Sequence, residues 1–201
     1  MNTTRHAAQA PAESGPTPAV AGPVVSAPAR QALAALRLGF GLTFLWAFFD
    51  KLLALGFATG RTVDPATGAE TVDRFGDAAW INGGSPTEGF LAFGAKGPFA
   101  DFYNSIAGAA WADWLFMLGL LGIGTALTLG IGMRLGTAAG AILYVLMWTV
   151  VLPPPNNPVL DDHILGAISM VVLGLTAAGT TWGLGKQWNR TALVRGNHWL
   201  R

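Results

Sequence analysis

Residues 36–56, LRLGFGLTFLWAFFDKLLALG, are apolar enough for a membrane-spanning helix, yet they carry Arg37 near one end and the pair Asp50-Lys51 inside the other. Thirteen residues separate Arg37 from Asp50, which is roughly 20 Å at the helical rise. The hydrocarbon layer of a bilayer is about 30 Å thick. With Arg37 at one interface, Asp50 and Lys51 fall roughly 10 Å short of the other. Charges at that depth are costly and require partners. The rest of the chain is therefore read for groups that can supply them.

Charged residues make up only 11% of the 201 residues and hydrophobic ones 52%, whereas a soluble domain carries about 25% charged residues. The expected class is an all-α integral membrane protein. Its expected architecture is a four-transmembrane-helix bundle with a long extracytoplasmic loop carrying short interfacial helices. There is no cysteine, which excludes disulfide exchange, thiolate catalysis, cysteine-ligated iron–sulfur clusters and c-type haem attachment in this chain. No haem or flavin site is evident, and no phosphate-binding glycine loop, serine triad or nucleic-acid pattern occurs.

Residues 1–28 are rich in Ala, Pro, Ser and Thr without an apolar run, and read as a disordered cytoplasmic tail. Residues 29–185 read as the membrane domain, with spans at about 29–55, 111–131, 135–152 and 162–182. Residues 186–201 are a basic cytoplasmic tail suited to lipid headgroups. The loop 56–110 is too long to lack structure. Within it, RTVDPATGAETV (61–72) predicts a hairpin. Ser85-Pro86-Thr87-Glu88 predicts a capping box that starts a helix over 86–95, and Pro98 starts a second. Both predicted helices mix Phe, Leu and Tyr with few charges, as interfacial helices do.

Arg5, Arg30, Arg37, Arg134, Lys186, Arg190, Arg195 and Arg201 lie on one side of this layout, with Glu13 their one opposing acid. The other side holds ten acids against four cations. The positive-inside rule then predicts cytoplasmic termini and a multi-pass protein of the cell membrane.

This topology collects polar groups in the outer half: Asp50 and Lys51 from span one, Asp113 from span two, and Asp161, Asp162 and His163 from span four. Neighbours on a helix point about 100° apart, so Asp50 and Lys51 are not each other's main partner. Lys51 is expected to meet Asp113, Asp161 or Asp162. Asp50 is expected to meet His163, a tryptophan N–H or a backbone donor from the loop. Plainer roles stand beside these. Asp113 and Asp161 suit the first turns of helices. Asp162-His163 suits a cap and an interface, and Arg37 a cytoplasmic anchor. Asp50-Lys51 also suits a buried pair that fixes register. His163 with two carboxylates has donor chemistry for a divalent ion, but no metal is assigned.

The run RLGFGLTFLWAFFDKL resembles the first helix of the DoxX family of small bacterial membrane proteins. WINGGSPTEGFL and NNPVLDDHI resemble its longer, DoxD-like branch, the membrane subunit of a thiosulfate:quinone oxidoreductase. The resemblance spans about residues 30–183. Its matching positions are Arg37, Asp50, Lys51, Trp80, Gly83, Gly84, Ser85, Pro86, Asn157, Asp161, Asp162 and His163. It implies a membrane bundle, quinone as cofactor, and a second redox subunit or a homo-oligomer as partner beside the lipid bilayer. On that reading His163, Asp162, Asp50 and Lys51 are the candidate catalytic groups. Trp46, Phe49 and Trp80 line a flat apolar quinone slot, while Arg37, Asp113 and Asp161 complete a structural polar cluster. The alternative is a non-enzymatic scaffold or small-solute carrier that docks a redox or stress-response partner.

Overall fold

A computed structural model describes residues 25–155 and 157–200. Most of the expected N-terminal tail, residues 1–24, lies outside them. Among the described residues three helices are long and apolar enough to cross a membrane: α1 (Ala27–Leu53), α4 (Ala110–Leu129) and α5 (Met133–Val151). Between α1 and α4 lie a two-stranded hairpin, β1 (Arg61–Val63) and β2 (Glu70–Val72), and two short helices, α2 (Glu88–Phe93) and α3 (Ala100–Ser105). After α5 come α6 (Asp162–Leu175), α7 (Gly185–Trp188) and α8 (Ala192–Gly196).

Helix α1 begins where Ser26 caps it and Pro28 occupies its first turn, a position where the missing N–H of proline costs nothing. It ends at Ala54, which adopts a left-handed conformation (φ 50°). The close backbone neighbours are α1 with α4, α4 with α5, and α5 with α6. All four share one apolar core, with Phe44 and Phe48 from α1, Met117, Leu120, Ile123 and Leu127 from α4, Met133 from α5, and Met170 and Leu173 from α6. The close approach of α1 to α4 depends on Gly41 and Gly124. A Cβ at Gly41 would stand 2.7 Å from the Thr128 backbone nitrogen, and one at Gly124 2.9 Å from that of Leu45.

Helix α6 is shorter than expected. It has 14 residues, or about 21 Å of helix, and stops at Leu175 rather than near Trp182. The chain turns there because Ala177 and Trp182 both take positive φ, 48° and 51°. A 3₁₀ turn at Ala178–Thr180 follows Ala177.

The loop is ordered by its own sequence. The hairpin pairs Thr62 with Thr71 across the strands, and the two hydroxyls lie 2.6 Å apart. Helix α2 begins two residues later than the predicted capping box places it. Ser85 Oγ still accepts the Glu88 N–H at 3.1 Å, which is the forward half of such a box. Helices α2 and α3 rest on the end of α5. Leu91, Tyr103 and Val150 form a second apolar cluster, and the Tyr103 hydroxyl lies 2.5 Å from that of Thr149.

Candidate functional site

The bundle has two ends: a basic end, where α1 starts and α4 turns into α5, and a loop end, where α1 stops and α6 starts. Arg37 sits at the first and is fully buried. It is sealed in by backbone and does not anchor the chain in a headgroup layer. Its guanidinium donates to the carbonyls of Leu127 and of Thr128 (3.0 Å) at the C-terminus of α4. It also donates to those of Thr181 (3.3 Å) and Trp182 (2.9 Å) beyond α6. The last carbonyls of a helix lack intrahelical donors and carry its negative dipole end. A planar, five-donor cation is matched to both. Arg37 thus belongs to a different end of the molecule from Asp113 and Asp161, with which it was grouped.

At the loop end three carboxylates are each held by donors. Asp50 is buried, and its two oxygens accept the N–H groups of Phe57 (3.1 Å) and Ala58 (2.9 Å). This is the backbone partner the sequence reading allowed, and it folds the start of the loop back over α1. Asp113 is buried on α4, and its Oδ1 accepts from Ser85 Oγ (2.9 Å), Thr87 N (3.1 Å) and Thr87 Oγ1 (2.6 Å). The motif WINGGSPT is the tether that makes this possible. Trp80 packs edge-on against Trp114 of α4 at 4.7 Å. Gly83 supplies a φ of 96°, and a Cβ at Gly84 would stand 2.4 Å from the Ala78 carbonyl.

Asp161 is the N-cap of α6, with Oδ1 accepting the Ile164 N–H at 3.1 Å. Its Oδ2 lies 2.7 Å from His163 Nδ1. Burial pushes the Asp161 carboxyl up, but the bond from His163 and the N–H of Ile164 outweigh it and hold the group below the usual carboxylate range. An ionised carboxylate only accepts hydrogen bonds, so His163 Nδ1 carries the proton and Nε2 of the neutral ring is an acceptor. The loop before α6 is preorganised for this. Asn157 Oδ1 takes the N–H groups of Val159 and Leu160, each at 2.9 Å, and Trp148 Nε1 donates to the Val159 carbonyl at 2.8 Å.

Two expected relations differ. Among the described residues Lys51 makes no ion pair with any carboxylate. It is half-buried, with its ammonium 6.0 Å from the centre of the Phe116 ring. The carboxylates expected to receive it are already engaged, Asp113 by hydroxyls and Asp161 by His163 and its cap. Asp162, expected to work with His163, projects outward with its side chain 93% exposed, and its nearer oxygen is 3.7 Å from Nδ1. Asp161 holds the position it was assigned.

Nor does any ring contact among the described residues join Trp46, Phe49 and Trp80. Trp46 meets Phe57, Phe49 meets Phe48, and Trp80 meets Trp114. The aromatic surface beside His163 comes instead from Tyr144 of α5, whose ring centre is 6.5 Å away. Tyr144 also meets Phe40 (6.0 Å) and Phe44 (5.5 Å) of α1. Gly166 makes room for it, since a Cβ there would stand 2.8 Å from the ring. Sequence reasoning missed Tyr144. The signal was available, because it is one of two tyrosines in the chain and lies inside an apolar span. Donor atoms of Asp161, Asp162 and His163 all lie within 4.8 Å of one another, a spacing explained by the hydrogen bonds just described.

No family model, curated protein or solved structure matches this chain.

Proposed function

We propose that the chain is a DoxX-like, four-span membrane subunit of quinone-linked redox chemistry, with its polar site at the start of α6. The observation that carries this reading is the 2.7 Å bond between His163 Nδ1 and Asp161 Oδ2 beside the Tyr144 ring. The site's donor set fits a quinone headgroup. The Nε2 atom of His163 and the Tyr144 hydroxyl make no hydrogen bond to the described residues, and the half-buried rings of Tyr144 and Phe40 offer apolar surface. A groove of about 460 Å³ along the α5–α6 seam, lined only by apolar side chains such as Ile142, Val145, Ile168 and Val171, suits an isoprenoid tail.

A bound quinone supplies the chemistry of taking up two electrons and two protons. In this reading His163 would hold a proton at Nε2 and present it to a carbonyl oxygen of the headgroup. Asp161 fixes the ring through Nδ1 and stabilises its cationic form, and the exposed Asp162 connects the site to bulk water. This division of roles between an orienting carboxylate and a titrating imidazole is a general one. The electrons come from a small reductant of the thiosulfate class, through a second subunit. The basic residues of the termini support a cytoplasmic location for both, with the loop outside.

The test is quinol formation driven by thiosulfate in membranes that contain the full chain and its partner. His163→Ala is expected to abolish it, and Asp161→Asn to slow it. Unchanged rates in His163→Ala would remove the proposal. One observation favours the scaffold reading: Asp50, Asp113 and Asp161 all serve as structural acceptors. Stable recovery of a partner with the His163→Ala protein, together with normal quinol formation, would select it.

A further inference from the structure

Helices α2 and α3 lie beside the end of α5, not beyond it. The Lys96 N–H donates to the Val150 carbonyl at 2.9 Å. The Tyr103 hydroxyl reaches the Leu146 carbonyl at 3.5 Å as well as the Thr149 hydroxyl. A Cβ at Gly97, where φ is 65°, would collide with the Leu152 carbonyl, so the backbone passes this close only with glycine there. Residues 96–103 therefore run alongside the last turns of a span. Helix α5 has 19 residues, or about 28 Å of helix, and the hydrocarbon layer is about 30 Å thick. Whatever flanks its last turns sits within that layer or at its boundary.

The buried side of this segment is Leu91 and Tyr103 against Val150. Its other side is apolar and uncovered. Phe93 is 86% exposed and Phe102 58%, and Phe90 and Phe99 are exposed too. Between Glu88 and Asp101 the one charged residue is Lys96, whose long stem can carry its ammonium to a boundary. The segment also continues the surface of the span. Ile142, Val145, Leu146 and Thr149 share one face of α5 by their spacing. The first three line the α5–α6 groove and are exposed, and Tyr103 sits on the fourth. Helix α3 thus stands at the loop end of that groove.

We infer that α2 and α3 are seated in the leaflet at the loop end, with Phe93, Phe99 and Phe102 among the acyl chains, and that they wall off the loop end of the α5–α6 groove from water. The occupant of the aromatic face is lipid, because that face adjoins the lipid-facing surface of a span at the same depth. Left in water, so many exposed phenylalanines would form an apolar patch of the kind soluble surfaces avoid. A groove closed in this way is entered from the bilayer. It admits molecules that carry a long apolar chain and excludes small water-borne solutes. The inference stands apart from the quinone reading, since any lipid-borne ligand would take the same route.

The chain has no cysteine, so single cysteines can be placed in the full chain and labelled with a nitroxide. In phosphatidylcholine vesicles, collision of the label with oxygen, which concentrates in the bilayer, is compared with collision with a water-soluble nickel chelate. A66C, in the exposed hairpin turn, reports water, and L118C, on the exposed face of α4, reports the bilayer interior. The oxygen-to-chelate ratio at F93C and F102C is expected to be several-fold above that at A66C and below that at L118C. V145C, in the groove, is expected to match L118C. F99C stands in for F102C if the latter does not fold. A ratio at F93C and F102C equal to that at A66C would place the segment in water and overturn the inference. Poor collision with both reagents would show that protein covers the face, and would overturn the lipid assignment in favour of a second copy of the chain. Chelate reaching V145C as freely as A66C would overturn the wall.

Discussion

The two ends of the bundle handle buried charge in opposite ways. At the basic end one cation, Arg37, is sealed among four backbone carbonyls and has no acidic partner among the described residues. At the loop end three carboxylates are spread over three helices, each held by N–H groups or hydroxyls. Among the described residues, neither Arg37 nor any of these three carboxylates is held by an ion pair between helices. Pairing two long charged side chains inside a bilayer requires desolvating both. A single charge placed against a helix terminus or a loop backbone instead uses dipoles that already lack partners. The contrast lies in access. Arg37 is closed to solvent, whereas His163 keeps 15% of its side chain exposed and Asp161 keeps 11%. Burial closes Arg37, Asp50 and Asp113 to solvent, and leaves the His163–Asp161 pair within its reach.

The largest test of this contrast is Arg37. Arg37→Met is expected to cost about 3 kcal/mol or more, because several buried carbonyls lose a charged donor at once. Arg37→Lys is expected to recover only part of that, since one ammonium cannot span four carbonyls. Thermal unfolding of the detergent-solubilised chain measures both. An Arg37→Lys chain as stable as the natural one would mean that charge alone matters, and the contrast with the loop end would fail.

Asp113→Ala comes next. It leaves Ser85 Oγ and the backbone and hydroxyl of Thr87 without their acceptor, at an expected cost of about 1–3 kcal/mol. The loss should be local. Limited proteolysis is expected to cut within 76–87 well before the helices unfold, and simultaneous cleavage everywhere would contradict the tether.

The smallest effect is a pH dependence at Asp161. Its folded-state carboxyl lies below the ordinary value, so its contribution is complete above about pH 4. That contribution is lost as the pH falls through the depressed folded value, where the carboxylate takes up a proton. An acid titration of stability should show this loss in the natural chain, and a smaller one in Asp161→Asn. The asparagine variant still caps the helix, and is expected to be weaker by about 1 kcal/mol at neutral pH through the lost charge on the acceptor of the His163 bond. Identical acid profiles would sharpen the comparison by removing Asp161 from the titrating groups.

Much of the fold was legible because its signals are local. The apolar runs mark α1, α4 and α5. The Thr/Val pairs around a Pro-Ala-Thr-Gly turn mark the hairpin. Asp161 before an apolar run marks the start of α6. The early end of α6 was harder to see, because no proline or glycine stands at Thr176 or Ala177 to announce it. The positions of the polar residues along the helices were legible, and their pairings were not. Asp50 was singled out by the cost of burying it, and His163 by its place at the start of span four. The partner of Lys51 was misjudged because proximity along the membrane normal does not say which helix faces which. Tyr144 was overlooked because its neighbours are aromatic rings from another helix.

The sequence by itself determined that apolar helices carry a few expensive charges, and that bases gather at one end of the chain's layout and acids at the other. Hydrophobicity and helical rise decide both, and they act over a few turns. Only the tertiary structure decided that Arg37, Asp50 and Asp113 are met by backbone dipoles and hydroxyls rather than by one another. A carbonyl or an N–H is present at every residue, so its availability depends on where a helix ends and what packs against that end, which no pattern of side chains records.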